Sequence, residues 1–161
     1  FIFLVICLFF VIMFIDMEHM LILNRITFPS ALFFLLLLIL NSLLLHSHYA
    51  KYVSFTCIPT FYSAVFSSLF SMTFFFLLSC AYPRGMGMGD VKLVGLIGLV
   101  TGFPLVLVAL LLGISAAFLV SILLVVIGKK KMTDRIPLGS FLALGTILTL
   151  LWGGDMLTFI L

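Results

Sequence analysis

The chain has 161 residues and a net charge of +3 at pH 7; 65% of its residues are hydrophobic and 8% are charged. Together with a mean hydropathy of +1.49, this composition excludes a water-soluble globular domain, because such domains carry about 25% charged residues. The apolar stretches are long and lack the alternation of barrel strands. They therefore predict an all-α fold, a polytopic transmembrane helix bundle that forms a single membrane-embedded domain over residues 1–161.

Apolar stretches separated by polar connections predict about six spans. In chain order, their predicted ranges are 1–15, 28–45, 58–82, 91–102, 105–127 and 136 to the end. A helix over residues 1–15 covers only about 22 Å of a hydrocarbon core that is ~30 Å thick. Because Phe1 already lies inside this apolar run, we expect an N-terminally truncated fragment whose first helix is the end of a longer one.

Several residues inside these stretches predict how the helices begin and pack. Pro29 and Pro137 are expected in the first turns of the second and sixth helices, where proline is tolerated. The fourth helix is short, so we expect it to be buried among its neighbours. Gly95, Gly98 and Gly102 share one of its faces, and such small-residue faces let membrane helices pack backbone to backbone. In the third helix, serine hydroxyls are expected to bond back to carbonyls of the preceding turn.

The basic residues predict the orientation of the bundle. Seven of the eight fall in connections on one side of the membrane: Arg25, Arg84, Lys92, Lys129, Lys130, Lys131 and Arg135. Only Lys51 falls on the other side. Since cytoplasmic connections are enriched in Lys and Arg, the first side is predicted to be cytoplasmic.

Two acidic residues are predicted at that cytoplasmic face. Asp16 ends the first apolar run, and Asp90 follows a glycine-rich segment that contains Gly87 and Gly89. Glycine permits unusual backbone angles and close approach of another backbone. Two carboxylates from different helices can share one proton, which is the arrangement that aspartic proteolysis needs. The simpler alternatives are that Asp90 caps the fourth helix and that Asp16 is an ordinary interfacial acid.

Helix ends also predict how the pair would be charged. Asp90 opens a helix, where the dipole favours an ionised carboxylate, and Lys92 is close in sequence. Asp16 ends a helix near Glu18, and both features disfavour ionisation. The hypothesis at this point is an ionised Asp90 and a protonated Asp16.

Other catalytic and metal sites have little support in the sequence. The three cysteines, Cys7, Cys57 and Cys80, are scattered and form no Cys-x-x-Cys pair. His46 and His48 are two residues apart and would not share a helix face. We therefore predict no metal site and no cofactor.

Three segments resemble the type IV prepilin peptidase family. Residues 87–93, Gly-Met-Gly-Asp-Val-Lys-Leu, match the GxGDxKL form of that family's GxGD motif. Residues 16–27 resemble its first-aspartate segment, and residues 136–145 resemble its late IPFGPFLALG segment, in the same order along the chain. The small, Phe-rich sequence is most similar to the competence-type enzymes of Gram-positive bacteria.

The sequence also departs from the family pattern. Leu23 stands where a proline is usual, and Leu138 and Ser140 stand where Phe and Pro are common. Longer family members carry an N-terminal region that is linked to methylation with S-adenosylmethionine. The 161 residues do not include that region, so the resemblance assigns neither methyltransferase activity nor zinc.

The resemblance implies an integral-membrane aspartic endopeptidase with the GxGD protease fold. Such enzymes lie in the bacterial cytoplasmic membrane and cut the basic leader from type IV pilin-like precursors at the cytoplasmic face. Asp16 and Asp90 take the positions of the catalytic aspartates, while Gly87, Gly89 and Lys92 take those of the surrounding motif, next to the substrate. The expected partners are the precursors and the lipid bilayer, with no nucleic acid and no cofactor.

Three other interpretations stay open. A GxGD protease of the presenilin or signal-peptide-peptidase kind would carry a Tyr-Asp motif, whereas Ile15 precedes Asp16. A small transporter or channel subunit could line a polar path with its acids, but no internal repeat is visible. An inactive family member that serves as an assembly factor is disfavoured by the intact Asp16 and Asp90.

Overall fold

A computed structural model of the chain describes residues 2–19, 24–45, 59–81, 87–128 and 137–160. This part of the chain is entirely helical and contains six α-helices. In chain order they are α1 Ile2–His19, α2 Asn24–Leu45, α3 Phe61–Ala81, α4 Met88–Thr101, α5 Leu105–Val126 and α6 Leu138–Ile160. The predicted all-α bundle and the order of its helices are confirmed.

Three of these helices are long and apolar enough to cross a membrane. The corresponding segments are Ile26–Leu43, Phe61–Ala81 and Leu105–Val126, and α6 contributes the shorter apolar segment Leu138–Gly153. Many large apolar side chains on the outer faces are exposed, among them Phe3, Leu43 and Phe118. Lipid tails provide the apolar surroundings that such side chains need.

Several predicted residues lie outside the described part of the chain. They are Leu23, His46, His48, Lys51, Cys57, Arg84, Lys129, Lys130, Lys131, Asp134 and Arg135. The side chains of Arg25 and Asp155 are likewise outside it, although their backbones belong to α2 and α6.

Four helix starts differ from the prediction, and α3 begins at Phe61 rather than at residue 58. α2 begins at Asn24, so Pro29 lies inside the helix rather than in its first turn. Pro29 has no backbone N–H to donate within the helix. In the same turn, the Ser30 hydroxyl donates a hydrogen bond to the Ile26 carbonyl at 2.7 Å. α4 begins at Met88, so the glycine-rich motif is partly helical. Pro137 directly precedes α6 instead of lying within it.

α4 is the central helix of the bundle. Each of its residues from Leu93 to Thr101 is buried. It contacts α2, α3, α5 and α6, and its 14 residues give a length of about 21 Å, which is short of the membrane core. The prediction of a short, buried fourth helix is confirmed.

Close packing between α3 and α4 depends on small residues. A side chain on Gly98 would place its Cβ 2.7 Å from the carbonyl oxygen of Ser67. The Ser67 hydroxyl donates to the Gly98 carbonyl at 2.6 Å, and the Ser68 hydroxyl donates to the Gly95 carbonyl at 2.8 Å. The predicted glycine face is therefore confirmed at Gly95 and Gly98, whereas Gly102 ends the helix with a φ of 68°.

The serine hydroxyls of α3 use two kinds of acceptor. As predicted, some hydroxyls donate to a carbonyl of their own helix: the Ser71 hydroxyl donates to the Ser67 carbonyl at 2.6 Å. Others reach α4, as the bonds to Gly95 and Gly98 show. These cross-helix bonds hold α4 at a fixed depth against α3, and α4 carries Asp90 in its first turn.

Candidate active site

Asp16 and Asp90 lie at the same end of the bundle. Asp16 is in the last turn of α1 and is only 4% exposed. Asp90 is the third residue of α4 and is half-buried. α6 contacts both α1 and α4, and the charge of Asp16 acts on Asp90. The structure thus brings together the two acids that were singled out in the sequence.

The carboxylate of Asp16 is bound to the start of α6. Its Oδ2 accepts a hydrogen bond from the Ser140 backbone N–H at 2.6 Å and another from the Ser140 hydroxyl at 2.9 Å. Backbone N–H groups in the first turn of a helix have no acceptor within that helix, so they bind anions well. Because its carboxylate bonds to a neighbouring helix, Asp16 does not end α1, which continues to His19.

The carboxylate of Asp90 is bound to the start of its own helix. Its Oδ2 accepts a hydrogen bond from the Gly87 N–H at 3.1 Å, and the Asp90 N–H donates to the Gly87 carbonyl at 3.1 Å. Gly87 is therefore the N-cap of α4, and the alternative that Asp90 is itself the N-cap is wrong. Asp90 instead occupies the third helical position, from which acidic side chains commonly reach back to the N-cap.

The two motif glycines do not need glycine's special backbone angles. Gly87 has φ −85° and ψ 154°, an extended conformation that any residue adopts. Gly89 lies in the first turn of α4. A Cβ on Gly87 would come no closer than 3.7 Å to another heavy atom, the nearest being Oδ2 of Asp90. The prediction of unusual angles is therefore wrong at Gly87, where the missing side chain leaves open space beside Asp90.

Lys92 extends from α4 towards α2. Its Nζ lies 5.4 Å from the centroid of the Phe28 ring, within range of a cation–π interaction. Lys92 also lines an open groove of about 320 Å³ between α2, α3 and α4. The other residues that line it are mainly apolar: Thr27, Phe28, Ala31, Leu32, Leu35, Ser68, Met72, Gly95, Leu96 and Leu99. The groove runs along α4 from the turn that follows Asp90.

Comparison with known proteins decides the family. A family model for the type IV leader peptidase family matches residues 3–151, a range that contains Asp16, Asp90 and Ser140. The chain belongs to the type IV leader peptidase family. Membership confirms the resemblance seen in the three sequence segments and supports a leader-peptidase-like protease. Neither the search of curated proteins nor the search of solved structures gave a match.

Sequence reasoning about this leader peptidase family member missed the contact made by Ser140. The residue was noted only as a departure from the family pattern, yet it is 5% exposed and holds Asp16. A signal was present, because Ser140 is the first polar side chain after Pro137 in an apolar helix. The sequence does not reveal its partner, since Asp16 is 124 positions away along the chain.

Proposed function

We propose that this chain is an aspartic endopeptidase that removes the leader from type IV pilin-like precursors, with Asp16 and Asp90 as its catalytic pair. The observation that carries the proposal is that these two acids, from α1 and α4, lie at the same end of the bundle, near enough for the charge of Asp16 to act on Asp90. Membership of the type IV leader peptidase family supports the reaction class and the kind of substrate.

The chemistry follows from two carboxyl groups that share one proton. The ionised carboxylate takes a proton from a water molecule as that water attacks the scissile carbonyl carbon. The protonated carboxyl donates a hydrogen bond to the carbonyl oxygen and stabilises the negative charge that develops there. Like charges at close range oppose simultaneous ionisation, which keeps one proton on the pair. The proton taken from water then passes to the leaving amine.

The surroundings of the pair fit an extended peptide substrate. The open space at Gly87 lies directly beside Oδ2 of Asp90, so a substrate backbone can approach the carboxyl group there. Gly89 and Lys92 border the same turn of α4. The bias of basic residues towards the connections on one side of the membrane supports a reaction at the cytoplasmic face of a bacterial membrane.

The test is leader removal from a pilin-like precursor by inverted membrane vesicles, whose cytoplasmic face points outward. We expect Asp16→Asn and Asp90→Asn each to lower the cleavage rate at least about a hundredfold, the scale of general acid–base catalysis. Asparagine keeps an acceptor oxygen for the Ser140 and Gly87 N–H groups, so both variants should insert normally. Sealed vesicles of the opposite orientation should not process added precursor.

Glu18→Gln is the matched control, because Glu18 is an exposed acid in the same turn of α1 as Asp16. This variant should cleave at the wild-type rate, as should Asp134→Asn and Asp155→Asn. Substantial cleavage by either Asp16→Asn or Asp90→Asn would remove that residue from the mechanism. Processing only from the other face of the membrane would reverse the proposed orientation.

A further inference from the structure

Ser140 supplies two hydrogen-bond donors to a single oxygen of Asp16. The backbone N–H lies 2.6 Å from Oδ2 and the hydroxyl lies 2.9 Å from it. The hydroxyl is also 3.3 Å from the carbonyl oxygen of Met13. One hydroxyl carries one proton, and the shorter distance favours the bond to the Asp16 carboxyl group.

These two bonds fix the orientation of the Asp16 carboxyl group. Both residues are buried, with Asp16 4% and Ser140 5% exposed, so water does not compete for the bonds. With Oδ2 held at the start of α6, rotation of the carboxyl group is blocked and the direction of Oδ1 is set.

We propose that Ser140 is a positioning residue for the peptidase reaction, holding Asp16 so that its second oxygen faces Asp90 and the substrate. The inference rests on the proposed function, because it requires Asp16 to be one of the two reacting carboxyl groups. Ser140 itself touches neither substrate nor water in the reaction. Its effect comes through geometry, and a misplacement of about 1 Å in an active site costs about a hundredfold in rate.

The hydroxyl donor can be removed on its own. Ser140→Ala removes the hydroxyl and keeps the backbone N–H. Ser140→Thr keeps both donors. The matched control is Thr149→Val, which removes a buried hydroxyl from the same helix; within the described residues that hydroxyl bonds to the Gly145 carbonyl, at 2.8 Å.

The experiment measures kcat and KM for leader removal in purified enzyme that has passed a thermal unfolding check. We expect Ser140→Ala to lower kcat about tenfold at unchanged KM. Ser140→Thr should restore most of the rate, and Thr149→Val should leave kcat at the wild-type value. A purely structural role would instead lower the amount of folded enzyme and leave the kcat of the remaining enzyme unchanged.

Two failures are distinguishable by including Asp16→Asn in the same series. If Asp16→Asn is inactive while Ser140→Ala keeps wild-type kcat, the positioning role is refuted and the proposed function stands. An equal fall in kcat for Thr149→Val would also refute it, since any lost hydroxyl on α6 would then suffice. If Asp16→Asn retains the wild-type rate, the proposed function is refuted and the role of Ser140 with it.

Discussion

The contact between α3 and α4 at Gly98 makes a sharp prediction about what holds Asp90 in place. In Gly98→Ala the new Cβ would lie 2.7 Å from both the Ser67 carbonyl oxygen and the Ser71 hydroxyl oxygen. Ordinary contact begins at 3.4 Å, so the helices must separate by about 0.7 Å. Because one of the opposing atoms belongs to the backbone of α3, a change of side-chain rotamer cannot relieve the contact.

The expected loss of stability is the sum of three effects. Overpacking of a tight interface costs about 1–3 kcal/mol. Separation of the helices also stretches the 2.6 Å bond from the Ser67 hydroxyl to the Gly98 carbonyl, at a cost of about 0.5–1.5 kcal/mol. Against these, alanine is better than glycine inside a helix by about 1 kcal/mol. The net loss is therefore about 0.5–3.5 kcal/mol.

Gly95→Ala is the matched control, one turn away on the same face of α4. There the nearest atoms to a new Cβ belong to the Met72 side chain, with its sulfur at 3.5 Å, which is ordinary contact. We expect Gly95→Ala to be neutral or to stabilise by up to about 1 kcal/mol. Unfolding of the purified protein in mixed detergent micelles compares the two variants, and equal stabilities would refute the packing argument.

Two further predictions concern the site itself. Gly87→Leu should abolish leader removal while leaving unfolding unchanged, since Gly87 is exposed and a Cβ there would make ordinary contact, 3.7 Å from Oδ2 of Asp90; wild-type cleavage by this variant would show that substrate does not use the space beside Asp90. Asp16→Ala should be about 2–4 kcal/mol less stable than wild type, because it leaves the Ser140 N–H buried without an acceptor, whereas Asp16→Asn should lose about 1 kcal/mol or less. Equal unfolding free energies for the alanine and asparagine variants would contradict the importance of that hydrogen bond.

Local chemistry explains why much of this fold could be predicted from sequence. Apolar runs interrupted by charged segments gave the six helices and their order, because lipid admits few other arrangements of backbone. Gly95 and Gly98 were correctly assigned to a packing face from their spacing alone. Asp90 was placed at a helix start, although the helix includes Met88 and Gly89 because Asp90 bonds back to the Gly87 N–H.

Contacts between distant segments explain what sequence reasoning missed. Asp16 was treated as the end of α1, where only the negative end of that helix would act on it. The structure places the N-terminal turn of α6 against the same carboxylate through Ser140. The argument from helix ends is therefore incomplete, since Asp16 and Asp90 both accept hydrogen bonds at a helix N-terminus. The assignment of the proton to Asp16 stays a prediction, without the support that helix ends were expected to give.

The hydrogen bonds nonetheless restrict which oxygen atoms can carry out the reaction. For both aspartates, every hydrogen bond to the carboxyl group within the described residues reaches Oδ2. Oδ2 of Asp16 already accepts two bonds, which occupy both of its lone pairs, so a proton there would displace a donor from Ser140. Oδ1 is therefore the oxygen of Asp16 that is left to hold the shared proton or to bind the water. Oδ2 of Asp90 accepts a single bond, from the Gly87 N–H, so both oxygens of Asp90 keep a lone pair for the proton, the water or the scissile carbonyl. The start of α6 thus restricts which oxygen of Asp16 reacts, whereas the start of α4 leaves both oxygens of Asp90 available.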